Sequence, residues 1–98
     1  MPEYPGGQKA LERDLQRLVH YPEIEVEAGR EGRVLVGFVV TEDGTMADIV
    51  VARSVSPRLD AEAVRVVRNL KKWKPGKFKG RDVKVRYSLP IVFKLATQ

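Results

Sequence analysis

Residues 83–95 read VKVRYSLPIVFKL, and their alternation decides the fold. Val83, Val85, Tyr87, Leu89, Ile91, Phe93 and Leu95 fall on one face of an extended chain, with Lys84, Arg86, Ser88, Pro90, Val92 and Lys94 on the other. Strict period two over this length predicts a long strand with one buried face. Proline within a sheet is confined largely to edges, so Pro90 places the strand at an edge with its missing donor turned outward. Backbone groups of alternate residues point to opposite sides of a strand. The open side should therefore offer the backbones of Arg86, Ser88, Val92 and Lys94, while odd-numbered residues pair inward.

Two further strands precede it. From Arg33 to Val40 the chain is nearly continuous β-former, apolar on both faces, as expected of a central strand. Thr41-Glu42-Asp43-Gly44 follows, and Asp-Gly between apolar runs marks a hairpin. The returning strand runs from about Met46 to Arg53, with Ile49 and Val51 on one face and Asp48, Val50 and Ala52 on the other.

Helices fill the intervals. Leu11, Leu15, Leu18 and Val19 form a narrow stripe over Gln8–Val19, and His20-Tyr21-Pro22 ends it. Asp60 is expected to cap a second helix, with Leu59 and Val64 as a hydrophobic staple. Ala63, Val66, Val67, Leu70 and Trp73 continue its apolar face until Pro75-Gly76 stops it. Glu23–Ala28 alternates like a strand but is too short to assign, and residues 1–7 read as an irregular lead-in. The order helix, strand, strand, helix, strand predicts an α+β domain with two helices packed on a three-stranded antiparallel sheet. The last strand runs in the same sense as the second, so an all-antiparallel sheet needs the first strand in the middle. Strand order 2-1-3 follows.

Composition narrows the function. Ninety-eight residues allow a single domain, 1–98, and 43% hydrophobic residues suffice for one core. Without Cys there is neither a disulfide nor a thiolate metal site. No stretch is long and apolar enough for a membrane span, and the start is no signal peptide. The net charge is +5, but residues 65–86 hold ten Lys and Arg against Asp82 alone. Such a patch fits nucleic acid, anionic lipid or an acidic protein, or a solvated helix end and loop. The lone His20 has no nucleophile beside it, and Glu42, Asp43 and Asp48 do not match a calcium loop. No catalytic, cofactor or metal site is expected. Gly29-Arg30-Glu31-Gly32 has the GxxG spacing of a nucleic-acid clamp but precedes a strand instead of joining two helices. Trp73 and Tyr87 lie on apolar stripes, which makes them core residues before they are base-stacking ones. The regular edge strand remains as the candidate site, because an extended peptide can add to such an edge.

Taken together, these motifs resemble the C-terminal periplasmic domain of TonB-family energy transducers, in the form found in Bacteroidetes. The resemblance spans the chain through PEYPGG at 2–7, Tyr21-Pro22, Gly29 and Gly32, FVVTEDGT at 38–45, Leu59-Asp60 with Ala63, WKPGK at 73–77 with Gly80, and VKVRYSLPIVF at 83–93. The run EIEVEA at 23–28, Arg30, and Leu18-Val19 ahead of Tyr-Pro depart from the family pattern. The resemblance implies a non-enzymatic domain of an inner-membrane-anchored protein, working in the periplasm, with the anchor absent from this chain. It implies that the domain captures the TonB box peptide of TonB-dependent outer-membrane transporters as an added strand. Force would come from an ExbB/ExbD-like motor acting through the missing N-terminal part. Carried over, the partner-binding residues are Tyr21, Pro22, Arg86, Ser88, Val92 and Lys94. The same likeness admits an interaction domain of another envelope protein, a regulatory metallopeptidase or a TolA-like protein. A basic nucleic-acid-binding domain is the remaining alternative. Nucleic acid and direct membrane insertion by this fragment are not expected, and the exposed strand permits exchange into a homodimer.

Overall fold

The computed structural model describes residues 1–95; the last three residues of the expected 1–98 domain lie outside it. The chain forms α1 (Gly7–Leu18), a short α2 (Glu23–Glu27), β1 (Gly32–Val40), β2 (Met46–Arg53), α3 (Pro57–Arg68), β3 (Gly76–Phe78), β4 (Arg81–Val83) and β5 (Val85–Phe93). The main sheet is antiparallel with order β2-β1-β5, so the strand apolar on both faces is central and the Pro90 strand is an edge. Val34, Val36, Phe38 and Val40 of β1 are fully buried, against Leu89, Ile91 and Phe93 of β5 and Leu59, Ala63 and Val67 of α3. Leu11 of α1 completes this layer, so helices cover one face of the sheet.

Several expectations need correcting. The α3 cap is Ser56, not Asp60: its Oγ accepts from the Leu59 N–H at 3.2 Å, and Pro57 occupies the first turn. A proline whose missing N–H would be unsatisfied anyway is a natural first helical residue, so Ser-Pro was the governing signal. Asp60 instead accepts from the Val55 N–H at 2.9 Å and from Ser54, locking the approach to the helix. Leu59, the expected staple, is buried within α3 itself.

Helix α3 ends at Arg68, so Trp73 is not on it. Its ring is buried among Tyr4, Phe38 and Tyr87, with centroids 5.3, 5.7 and 5.3 Å away. The expected strand over 83–95 is divided: Arg81–Val83 pairs with Gly76–Phe78 as a separate hairpin, and β5 is bounded by Val85 and Phe93. The EIEVE run, too short to assign from its alternation, forms the short helix α2, in addition to the two expected helices. Pairing along β2 slips twice, and Asp48 takes a left-handed φ of 52°, which breaks the expected alternation and leaves both Val50 and Val51 exposed.

The lead-in is not irregular throughout. Glu3 and Lys74 exchange backbone hydrogen bonds of 3.0 and 2.8 Å, and Tyr4 is buried.

Candidate partner-binding edge

The two edges of the sheet differ. Strand β5 pairs with β1 through nine successive residues, from Val85↔Val40 to Phe93↔Gly32, without a register shift. Edge β2 is bulged, which twists it and breaks the row of backbone groups that another strand would need. Among the described residues, β5 alone therefore presents a long regular row of backbone groups on its free side.

Side chains on β5 alternate as the sequence predicted: Leu89, Ile91 and Phe93 are buried, while Arg86, Ser88, Pro90 and Val92 are exposed. Lys94 is exposed but lies one residue beyond the strand. Immediately after it, the Leu95 N–H donates to the Glu31 carboxylate at 2.6 Å, pinning the strand end to the entrance of β1.

Helix α1 runs beside this edge. A groove of about 460 Å³ lies between Leu11, Leu15 and Val19 of its apolar stripe and Leu89–Val92 of β5. Leu15 and Val19 are only partly buried, because the groove opens beside them. Sequence periodicity placed them facing the core, but not at the rim of a groove.

Tyr21 stands at the Phe93 end. Its ring meets Phe93 edge-on at 5.5 Å, and its hydroxyl donates to the Arg30 carbonyl. Burial raises the Tyr21 hydroxyl above the ordinary tyrosine value, and the nearby Glu31 and Glu25 charges add to the effect. Pro22 precedes α2, and its carbonyl accepts from the Glu25 and Val26 N–H groups at 3.0 and 3.1 Å. Glu25 is buried; it accepts from Arg30 Nε at 2.6 Å and from Ser56 Oγ at 2.9 Å. The hydroxyl that caps α3 thus also secures the Tyr-Pro segment. Glu25, Arg30 and Ser56 were not singled out as site residues, and no local motif links residues 25 and 56.

Tyr21 and Pro22 therefore stand beside the Val92–Lys94 end of the edge. Arg86 lies at the other end, about 23 Å along an extended strand. His20 is exposed, and its backbone N–H donates to Glu62 at 2.6 Å. Partial burial works against the ionised Glu62, but hydrogen bonds from Arg65 and His20 outweigh it and hold the carboxyl low. Among the described residues, no group of three His, Cys, Asp or Glu is placed to hold a metal ion. What this region offers chemically is main-chain donors and acceptors along an edge, with an apolar groove beneath it.

The family model for the C-terminal part of the Gram-negative bacterial TonB protein matches residues 17–95. The chain belongs to the TonB C-terminal family. It is similar to the Pseudomonas aeruginosa TonB C-terminal domain, with 31% identity, a TM-score of 0.63, and coverage of 81% of this chain and 80% of that one. Two solution structures of the Helicobacter pylori TonB C-terminal domain share the fold at 23% identity. Their TM-scores are 0.67 and 0.70, covering 89% and 92% of this chain and 78% and 95% of theirs. No curated protein matches the chain. The TonB family is one of non-catalytic interaction modules in the Gram-negative envelope. The matched span contains Tyr21, Pro22 and all of β5 but begins at Arg17, so the helical wall of the groove at Leu11 and Leu15 lies ahead of it.

Proposed function

We propose that this domain is the periplasmic partner-binding module of a TonB-like energy transducer. It captures the TonB box of an outer-membrane transporter as an extra strand beside β5. It then passes on force that an ExbB/ExbD-like motor draws from the proton gradient. The observation that carries this reading is the unbroken register of β5 on an otherwise open edge. Each main-chain hydrogen bond to an added strand contributes about 0.5–1.5 kcal/mol net. One apolar side chain seated in the groove of Leu11, Leu15 and Val19 would add about 1.5–3 kcal/mol. A few such bonds and one anchor give reversible binding, as a coupler that must release its partner requires. Arg86, Ser88, Val92 and Lys94 line the receiving edge, and Tyr21 and Pro22 border its far end.

Titrating isotope-labelled domain with N-terminal peptides of transporters, and separately with single-stranded oligonucleotides, tests the proposal. Peptide-induced amide shifts concentrated in β5 and residues 18–22 are expected. Oligonucleotide binding with a steep salt slope, and no peptide response, would overturn it.

A further inference from the structure

The β3–β4 hairpin takes no part in the binding edge, yet it carries the most exposed aromatic ring of the described residues. Phe78 is 63% exposed. Lys79 and Gly80 join the strands with φ values of 51° and 78°, the signature of a tight two-residue turn whose twist matches the hairpin. The tip is therefore preformed.

Its two faces are unlike. Lys77 and Asp82 are cross-strand partners and form an ion pair of 2.7 Å, so the one acid of this basic stretch is neutralised on one face. Phe78 and Arg81 are the next pair and share the opposite face. Lys79 Nζ lies 5.4 Å from the Phe78 ring centroid. Neither Lys79 nor Arg81 pairs with an acid among the described residues. One ring and two free cations project together.

We propose that this hairpin tip docks on the headgroup layer of an anionic phospholipid bilayer. Lys79 and Arg81 meet the phosphates, and the Phe78 ring lies between them at the interface. Aromatic rings flanked by cations suit this depth, and an anionic surface rewards each cation by roughly fivefold in affinity at physiological ionic strength. The contact is peripheral; no helix of the described residues is long and apolar enough to cross a membrane. Single-stranded nucleic acid fits less well, because it needs several rings on which successive bases stack. Trp73 is buried and Tyr87 half-buried, which leaves Phe78 alone. A defined acidic peptide would need a groove, and the grooves flanking α1 stop short of the hairpin.

Co-sedimentation of the whole chain tests this, using phosphatidylcholine vesicles with and without about one-third phosphatidylglycerol. Binding is expected only with the anionic lipid, and high salt should release it. Phe78→Ser should weaken it several-fold, and Lys79→Glu with Arg81→Glu by about 25-fold or more. Lys9→Glu with Arg13→Glu makes the same charge change on the exposed face of α1 and should retain most of the binding. Equal loss in that control pair would mean diffuse attraction and would sink the proposal. So would indifference to anionic lipid, or tighter, Phe78-dependent binding of single-stranded DNA. Peptide binding at β5 should be unchanged in the hairpin variants, so the two proposals stand or fall separately.

Discussion

At the residue scale, Tyr4 ties three segments together. Its hydroxyl donates to Asp14 at 2.5 Å and accepts from the Lys71 N–H at 3.1 Å, and its ring meets Trp73 edge-on. The Tyr4 hydrogen bond, opposed by burial and helped by Lys71 and Arg17, holds the Asp14 carboxyl below its ordinary value. Burial, and then the bond to Asp14, raises the Tyr4 hydroxyl. Tyr4→Phe keeps the ring but leaves the buried Asp14 carboxylate and the part-buried Lys71 N–H each short of a partner. It should cost roughly 1–3 kcal/mol and lower the melting temperature by several degrees, as thermal denaturation would show. Asp43 in the β1–β2 turn supports a prediction about pH. Hydrogen bonds from Thr41 and Thr45 lower its carboxyl to about 2. A carboxyl depressed in the folded state stabilises fully above its unfolded value, and that contribution is lost as pH falls through the folded one. The stability gap between the native chain and Asp43→Asn should therefore shrink between about pH 4 and pH 2. Urea midpoints at each pH measure it; a gap independent of pH would mean that the turn does not depend on the charge.

At the level of elements, the β5 edge and the turn joining β1 to β2 call for opposite outcomes. Ser88→Pro or Val92→Pro removes one donor from the free side of β5. Pro90 has no N–H to give β1, so by alternation these donors are expected on the side away from β1; the fold should then survive while peptide affinity falls about 3–10-fold, measured by calorimetry. Unfolding of either variant would mean that the strand faces the other way. The turn joining β1 to β2 is less tolerant. A Cβ on Gly44 would lie 2.1 Å from the Trp73 carbonyl oxygen, at a φ of 87° that side chains rarely adopt. The Trp73 N–H also donates to the Gly44 carbonyl at 2.9 Å. Gly44→Ala should cost at least about 2 kcal/mol, seen as a lowered denaturation midpoint.

These elements also show where sequence reading succeeds. Alternation in β5, continuous β-formers in β1 and the Asp-Gly turn each carry a local signal, and a single topological step then yields the strand order. Trp73 escaped because an apolar residue in helical phase looks the same whether the helix continues or the chain doubles back. The β3–β4 hairpin escaped because Lys79-Gly80 sits within a basic run that reads as helix end and loop. In the candidate site, the β5 strand was legible from its alternation and Tyr21 entered only through the family resemblance, while the Glu25–Ser56 support joins residues 31 apart and exists only after folding.

Across the whole molecule, the N-terminal segment, the Trp73 loop and β5 form one connected path. Glu3 exchanges backbone hydrogen bonds with Lys74, the neighbouring Trp73 packs between Tyr4 and Tyr87, and Tyr87 belongs to β5. Residues 1–5 thus act as a strap that holds the Trp73 loop against the sheet, while the β1–β5 ladder forms without them. Deleting the strap removes the buried Tyr4 side chain, worth about 1.5–3 kcal/mol, and two backbone bonds of about 1 kcal/mol each. That is a large share of the 5–15 kcal/mol typical of a domain, so the shortened chain should fold with a much reduced urea midpoint. Its affinity for a transporter peptide, measured where it is still folded, should remain near that of the full chain, because the free side of β5 and the α1 groove are intact. A loss of affinity larger than the unfolded fraction explains would place residues 1–5 within the binding edge. Unchanged stability would mean that the bond to Gly44 and the packing on Phe38 and Tyr87 hold the Trp73 loop without the strap.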